Sequence, residues 1–182
     1  KRHLEDVNEV VDFVRKKHPG KKVYMFGHSI GACYALWYAA NHPNSLDGII
    51  LAAPAIVLGS RMSGRDYLRF LFSLLFAPKR MYEPYKTLPQ DQRESEETKI
   101  ALQDPLGTTR FSMRWLSGSG RTLQYKALQN ASRIEKPTLI IQGEQDKTVL
   151  PIGAKRLYES LAAKDKSIQT FPDADHYFYH AL

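Results

Sequence analysis

Cysteine is almost absent: of 182 residues only Cys33 carries a thiol. That excludes an internal disulfide and suits a reducing compartment, so a cytoplasmic setting is expected. The almost continuously apolar stretch Tyr67 to Phe76 (YLRFLFSLLF) has ten residues. A membrane-spanning helix needs about 20. No signal peptide is read at the start of the chain. No basic run is interleaved with aromatics, as a nucleic-acid groove requires, so no nucleic acid is expected as a partner. No pair of His, Cys or carboxylate residues has metal-ligand spacing, so neither metal nor cofactor is expected. Internal repeats are missing as well. Ser117 to Gly120 (SGSG) lacks the lysine and the strand-to-helix setting of a phosphate loop and reads as a flexible turn.

What remains is close to an average globular chain, 43% apolar and 25% charged, long enough to bury a sizeable core. The net charge of +7 favours anionic surfaces such as acidic lipids. Leu4, Val7, Val10, Val11 and Val14 recur at helical spacing, and Gly20 marks a helix stop. Lys22 to Phe26 reads as a strand, and Ile30 to Asn41 as a helix ended by His42-Pro43. Gly48 to Ala53 and Pro137 to Gln142 are apolar on both faces, as buried parallel strands are. Pro151 opens a helix reaching about Ala163, and Ser167 to Phe171 reads as a last strand. This alternation implies an α/β fold with a parallel sheet covered on both faces.

From Ala55 to about Arg121 the rhythm is lost. Pro78, Pro84 and Pro89 break the chain, and Gln90 to Lys99 is highly charged. The run Tyr67 to Phe76 reads either as a buried helix of an inserted subdomain or as an apolar wall or lid. On a helix, Leu68, Leu71, Phe72 and Leu75 share one side and Tyr67, Phe70 and Leu74 another. The second side is expected to be exposed, as a membrane or partner contact.

The chemistry centres on Phe26-Gly27-His28-Ser29-Ile30-Gly31. Gly-x-Ser-x-Gly alone is weak evidence, but here it lies between a strand and a helix. A nucleophile elbow needs that setting, with no side chains at Gly27 and Gly31. Ser29 is then strained and stands at a helix start, where amides stabilise negative charge. The competing reading is a plain turn with a structural serine. A serine nucleophile needs a base, and the base an orienting acid. Asp146 follows the strand ending at Gln142, and His176 follows the strand ending at Phe171, both on the sheet edge that carries Ser29. Glu144 is the rival acid and His180 the rival base. Asp173 and Asp175 are better placed to cap a turn. His28 is expected to pack beneath the site. His3, His18 and His42 read as surface residues.

The stretches PGKKVYMFGHSIGA, GIILAAPA, ALQDPLGTTRFSMRW, KPTLIIQGEQDKTV and FPDADHYFYH together resemble an α/β-hydrolase of the monoacylglycerol lipase and lysophospholipase branch. The resemblance covers nearly the whole chain. It implies Ser29 as nucleophile, Asp146 as acid and His176 as base, with the backbone N–H of Ile30 as an oxyanion donor. It divides the chain into core at 1–55, helical cap at 56–120 and core at 121–182. The family's sheet has about eight strands against four here, and no His-Gly loop precedes Ser29. The resemblance therefore implies the carboxyl-terminal part of a longer protein. The expected activity is ester hydrolysis through an acyl-enzyme, on a lipid-like ester such as monoacylglycerol or lysophospholipid, with peripheral membrane contact through the cap. A proline-type aminopeptidase is the alternative enzyme, with Glu83, Glu94, Glu96 or Glu97 to bind an amine. A non-catalytic binding module is the alternative from another class.

Overall fold

The computed structural model describes residues 2–59, 64–87, 90 and 96–177. They fall into two compact units. Lys1–Ser60 and Thr122–Leu182 form one, and Arg61–Arg121 the other.

The first unit opens with helix α1 (Arg2–Lys17), strand β1 (Tyr24–His28), helix α2 (Ile30–Asn41) and strand β2 (Gly48–Ala52). Helix α1 packs Leu4, Val7, Val11 and Val14 on the core, while Val10 points to solvent. The chain turns behind it at Gly20, whose φ of +74° suits a residue without Cβ. Strand β1 lies two residues later than its apolar pattern suggested. Its ladder to β2 starts at Tyr24↔Gly48 and runs to His28↔Ala52, so it delivers the chain directly to Ser29. The Val23 N–H bonds to the Asp47 carboxylate instead of joining the ladder.

The second unit holds helix α3 (Gly64–Phe76), strand β3 (Met81–Tyr82), helix α4 (Glu96–Gln103) and strand β4 (Phe111–Ser112). Strands β3 and β4 pair antiparallel, a small sheet that two-residue strands could not announce by periodicity. On α3, Leu68, Phe72, Leu75 and Phe76 are exposed, whereas Phe70, Leu71 and Leu74 are half-buried. Of the side expected to be exposed only Tyr67 is, while Leu68, Phe72 and Leu75 of the other side face solvent. Ser117 to Gly120 belongs to a π-helical stretch, Leu116–Thr122, rather than a free turn.

Helix α5 (Leu123–Asn130), strand β5 (Thr138–Gly143), helix α6 (Pro151–Ser160) and strand β6 (Lys166–Phe171) return to the first unit. The sheet order is β1-β2-β5-β6, parallel throughout. Helix α2 is buried almost all round because small residues (Ala32, Cys33, Ala35, Ala39, Ala40) allow close approach. Leu36, Tyr38, Ile49, Leu51, Ile140 and Leu157 complete this core. Burying each aliphatic side chain contributes about 1.5–3 kcal/mol. His42, expected at the surface, is half-buried and stacks on the Tyr38 ring at 4.4 Å.

One polar anchor ties α1 to the sheet. Asp47 accepts from Val23 N at 2.8 Å and from Arg15 at 3.0 Å, and Arg15 Nε also donates to Ser45 O. The Val23 amide, and then Arg15, hold the Asp47 carboxyl below its ordinary value. A depressed carboxyl adds stability above its unfolded pKa and loses it as pH falls through the folded value. Thermal unfolding of Asp47→Ala should therefore lie below that of the parent at neutral pH. The gap should narrow as the solution is acidified, and a gap independent of pH would contradict this.

Candidate active site

The site is built from three strand ends. Strand β1 runs into Ser29, β5 into the loop that carries Asp146, and β6 into the loop that carries His176. At Ser29 the backbone has φ 55° and ψ −120°. Such a conformation costs a non-glycine residue about 1–3 kcal/mol and persists only when its surroundings impose it. Here they do: Ser29 N donates to Ala52 O at 2.9 Å, and Ala55 N donates to Ser29 O at 3.1 Å. The end of β2 and the turn that follows it thus hold Ser29 through both its backbone groups. Ile30 opens α2, and its amide has no carbonyl one turn earlier in that helix to bond.

The two glycines of the motif differ. A Cβ on Gly27 would sit 2.6 Å from Gly31 O and 2.8 Å from Ala32 N. A Cβ on Gly31 would meet nothing within 4 Å, so the expected steric demand holds for Gly27 alone.

His176 Nε2 lies 3.1 Å from Ser29 Oγ, and His176 Nδ1 lies 2.8 Å from Asp146 Oδ2. An ionised carboxylate only accepts, so the ring proton belongs on Nδ1 and the Nε2 lone pair faces the serine hydroxyl. Asp146 and His176 are both buried. Asp146 Oδ1 accepts from Thr148 N at 2.9 Å and Val149 N at 2.7 Å, while Oδ2 also accepts from Gln142 Nε2 at 3.2 Å. Four donors therefore converge on this one carboxylate. Glu144, the rival acid, is exposed on the same loop. His180, the rival base, lies outside the described residues. Asp175 accepts from Tyr177 N, the turn-capping role expected of it.

His28, expected to pack beneath the oxyanion site, contacts the histidine loop. Its Nε2 donates to His176 O at 3.1 Å, and its ring lies 4.7 Å from the His176 ring. Cys33, in α2, is the other nucleophilic side chain close by in sequence. Burial pushes its thiol up to about 12, against a smaller lowering effect of the Ala55 backbone, so it stays protonated.

Two residues that composition and spacing did not mark also shape the site. Gln142 is a fully buried amide inside an apolar strand. A polar residue closing the run Thr138-Leu139-Ile140-Ile141 was the available signal. Gly143 allows the two loops to meet, because a Cβ there would strike Ala174 O and Asp175 O. The acid loop is braced from a third side, where residues 56–59 pair with it. Leu150 N donates to Val57 O at 2.8 Å and Gly59 N to Thr148 O at 2.9 Å. That pairing keeps 56–59 with the first unit rather than with the cap expected to begin at 56.

Among the described residues, no three His, Cys, Asp or Glu side chains cluster as a metal ion would require. A cleft of about 270 Å³ between Pro43, Arg133 and Lys136 lies at the end of α2 remote from Ser29 and touches none of the three residues.

A family profile described as serine aminopeptidase, S33 matches residues 1–180. Monoglyceride lipase of Homo sapiens is 27% identical over 188 residues, which cover 98% of this chain and 59% of that protein. Caffeoylshikimate esterase of Arabidopsis thaliana is 24% identical over 181 residues, covering 93% of this chain and 52% of the esterase. The crystal structure of Paleococcus ferrophilus monoacylglycerol lipase superposes with a TM-score of 0.79 at 25% identity, covering 97% of this chain and 66% of that one. Together with the parallel sheet these matches place the chain in the S33 family of α/β-hydrolases, in its monoglyceride lipase-like branch. The chain spans between half and two thirds of each of these relatives.

The glycine contrast gives a direct check on the elbow. Gly27→Ala should lower stability by about 1–3 kcal/mol, the usual range for overpacking. Gly31→Ala should leave the thermal unfolding midpoint nearly unchanged. Equal effects of the two would contradict the geometry.

Proposed function

We propose that the full-length protein hydrolyses carboxylic esters through an acyl-enzyme on Ser29, with a lipid-like monoester such as a monoacylglycerol or lysophospholipid as substrate. The observation that carries this reading is the hydrogen-bonded line from Ser29 Oγ through the His176 ring to Asp146. In this mechanism His176 Nε2 takes the hydroxyl proton as Oγ attacks the ester carbonyl. Asp146 holds the tautomer and stabilises the imidazolium. The Ile30 amide, at the positive end of α2, donates to the developing oxyanion. His176 then returns the proton to the departing alcohol. A water molecule, deprotonated by the same nitrogen, releases the acid and restores Ser29.

The names of the relatives support an ester substrate, one being a monoglyceride lipase and the other a caffeoylshikimate esterase. The exposed apolar side of α3, with Leu68, Phe72 and Leu75 each about two thirds or more exposed, suits an acyl chain or a lipid surface. No described helix is long and apolar enough to cross a membrane.

Aminopeptidase activity is the second reading, favoured by the description of the matching family. It needs a carboxylate open to a substrate amine. Glu83 is already engaged by Lys86, by Arg110 at 3.4 Å and by the Tyr85 hydroxyl at 3.3 Å. Lys86 chiefly holds its carboxyl below the ordinary value. Glu94 lies outside the described residues, and the side chains of Glu96 and Glu97 are likewise not described.

Ser29→Ala and His176→Ala should each reduce ester turnover by about six orders of magnitude, and the double variant should be scarcely slower than either single one. Additive losses would contradict a shared mechanism. A short-chain monoester should be cleaved far faster than an aminoacyl amide, and the reverse order would favour the peptidase. Phe72→Asp with Leu75→Asp should weaken binding to anionic vesicles and spare hydrolysis of a short soluble ester. Unchanged vesicle binding would remove the membrane reading.

A further inference from the structure

We propose that Gln142 is a positioning residue of this site, its side-chain amide setting the plane of the Asp146 carboxylate against the His176 ring. The inference rests on the ester-hydrolase reading above. Gln142 is the last side-chain-bearing residue of the strand β5 and is fully buried. Its Nε2 faces Gly143 O at 3.0 Å, Asp146 Oδ2 at 3.2 Å and Val149 O at 3.4 Å. All three neighbours are acceptors, so the amide has one orientation, with NH2 toward them. Its carbonyl oxygen is left buried without a partner among the described residues.

An unpartnered buried carbonyl is destabilising, and native structures contain few. A leucine or methionine would continue the apolar strand without it. The glutamine is therefore explained by its donor end, and that donor has a specific geometric effect. The Thr148 and Val149 amides pin Oδ1 of Asp146, which still leaves the carboxylate free to swing about that oxygen. Gln142 and His176 share the other oxygen, and the Gln142 amide fixes where Oδ2 points. The His176 ring is then held on the line to Ser29 before substrate arrives. Such preorganisation acts on the chemical step and leaves substrate binding alone.

The test is a double-mutant cycle in the full-length protein, with active sites counted by covalent fluorophosphonate labelling. Gln142→Met removes the donor at similar volume. It should lower kcat per labelled site about tenfold with KM within about twofold, the size of effect expected for a lost hydrogen bond to a charged group. In an Asp146→Ala background the same replacement should change kcat by less than about twofold, because its partner is gone. Gln142→Glu, which keeps the shape and replaces the donor with an oxygen, should lose at least as much as Gln142→Met. A merely structural role would lower the number of labelled sites and leave kcat per site intact. That result, or an equal loss in both backgrounds, overturns the proposal while leaving the ester-hydrolase reading standing. Labelling that survives Ser29→Ala at the parental rate overturns the reading itself, and the role of Gln142 with it.

Discussion

Ser29 sits in a backbone conformation that an L-amino acid resists, and the rest of the site follows from what holds it there. Strand β1 must end at His28 and α2 must begin at Ile30, which leaves a single residue for the reversal. Gly27 must lack a side chain because the α2 backbone returns to within 2.8 Å of where its Cβ would be. The Ala52 carbonyl at the end of β2 and the Ala55 amide just beyond it close on Ser29. The strain is offset by the core beneath, where α2 presents alanines to the sheet and buries Leu36 and Tyr38 completely.

The partners of Ser29 are held as firmly, by different means. Asp146 is buried and satisfied by two backbone amides, a glutamine and a histidine. His176 is fixed through its ring by Asp146 and through its carbonyl by His28. Gly143 lets the histidine loop descend onto the end of β5, while residues 56–59 brace the acid loop from the other side. A hydroxyl, an imidazole and a carboxylate are thereby aligned without any of them lying in a regular element. Proton transfer from Ser29 then requires no rearrangement of its partners, which is the physical basis for the proposed chemistry.

Much of this was legible in the amino-acid order. The helix Ile30 to Asn41 was bounded by a motif and a proline, and its limits agree with α2 to the residue. The three reactive side chains each follow a strand, and strand ends are marked by the change from apolar to polar residues. Strand β1 was misplaced by two residues because an apolar pattern gives no register. The ladder to β2 sets that register, and Asp47 takes the Val23 amide out of it. The demand on Gly31 was inferred from the motif, whereas only three-dimensional contact distinguishes it from Gly27. Gln142 and Gly143 escaped notice because their importance depends on loops arriving from elsewhere in the chain. On α3 both sides are apolar, so composition could not say which one would be exposed.

In the proposed hydrolysis Ser29 carries the acyl group. The most direct measurement is peptide mass mapping of the full-length protein after acid quench during turnover of a chromogenic monoester. One acyl group per protein is expected, on the peptide that contains Ser29, appearing together with a burst of released alcohol. Steady hydrolysis with no acyl adduct, or with the adduct on another residue, would contradict it.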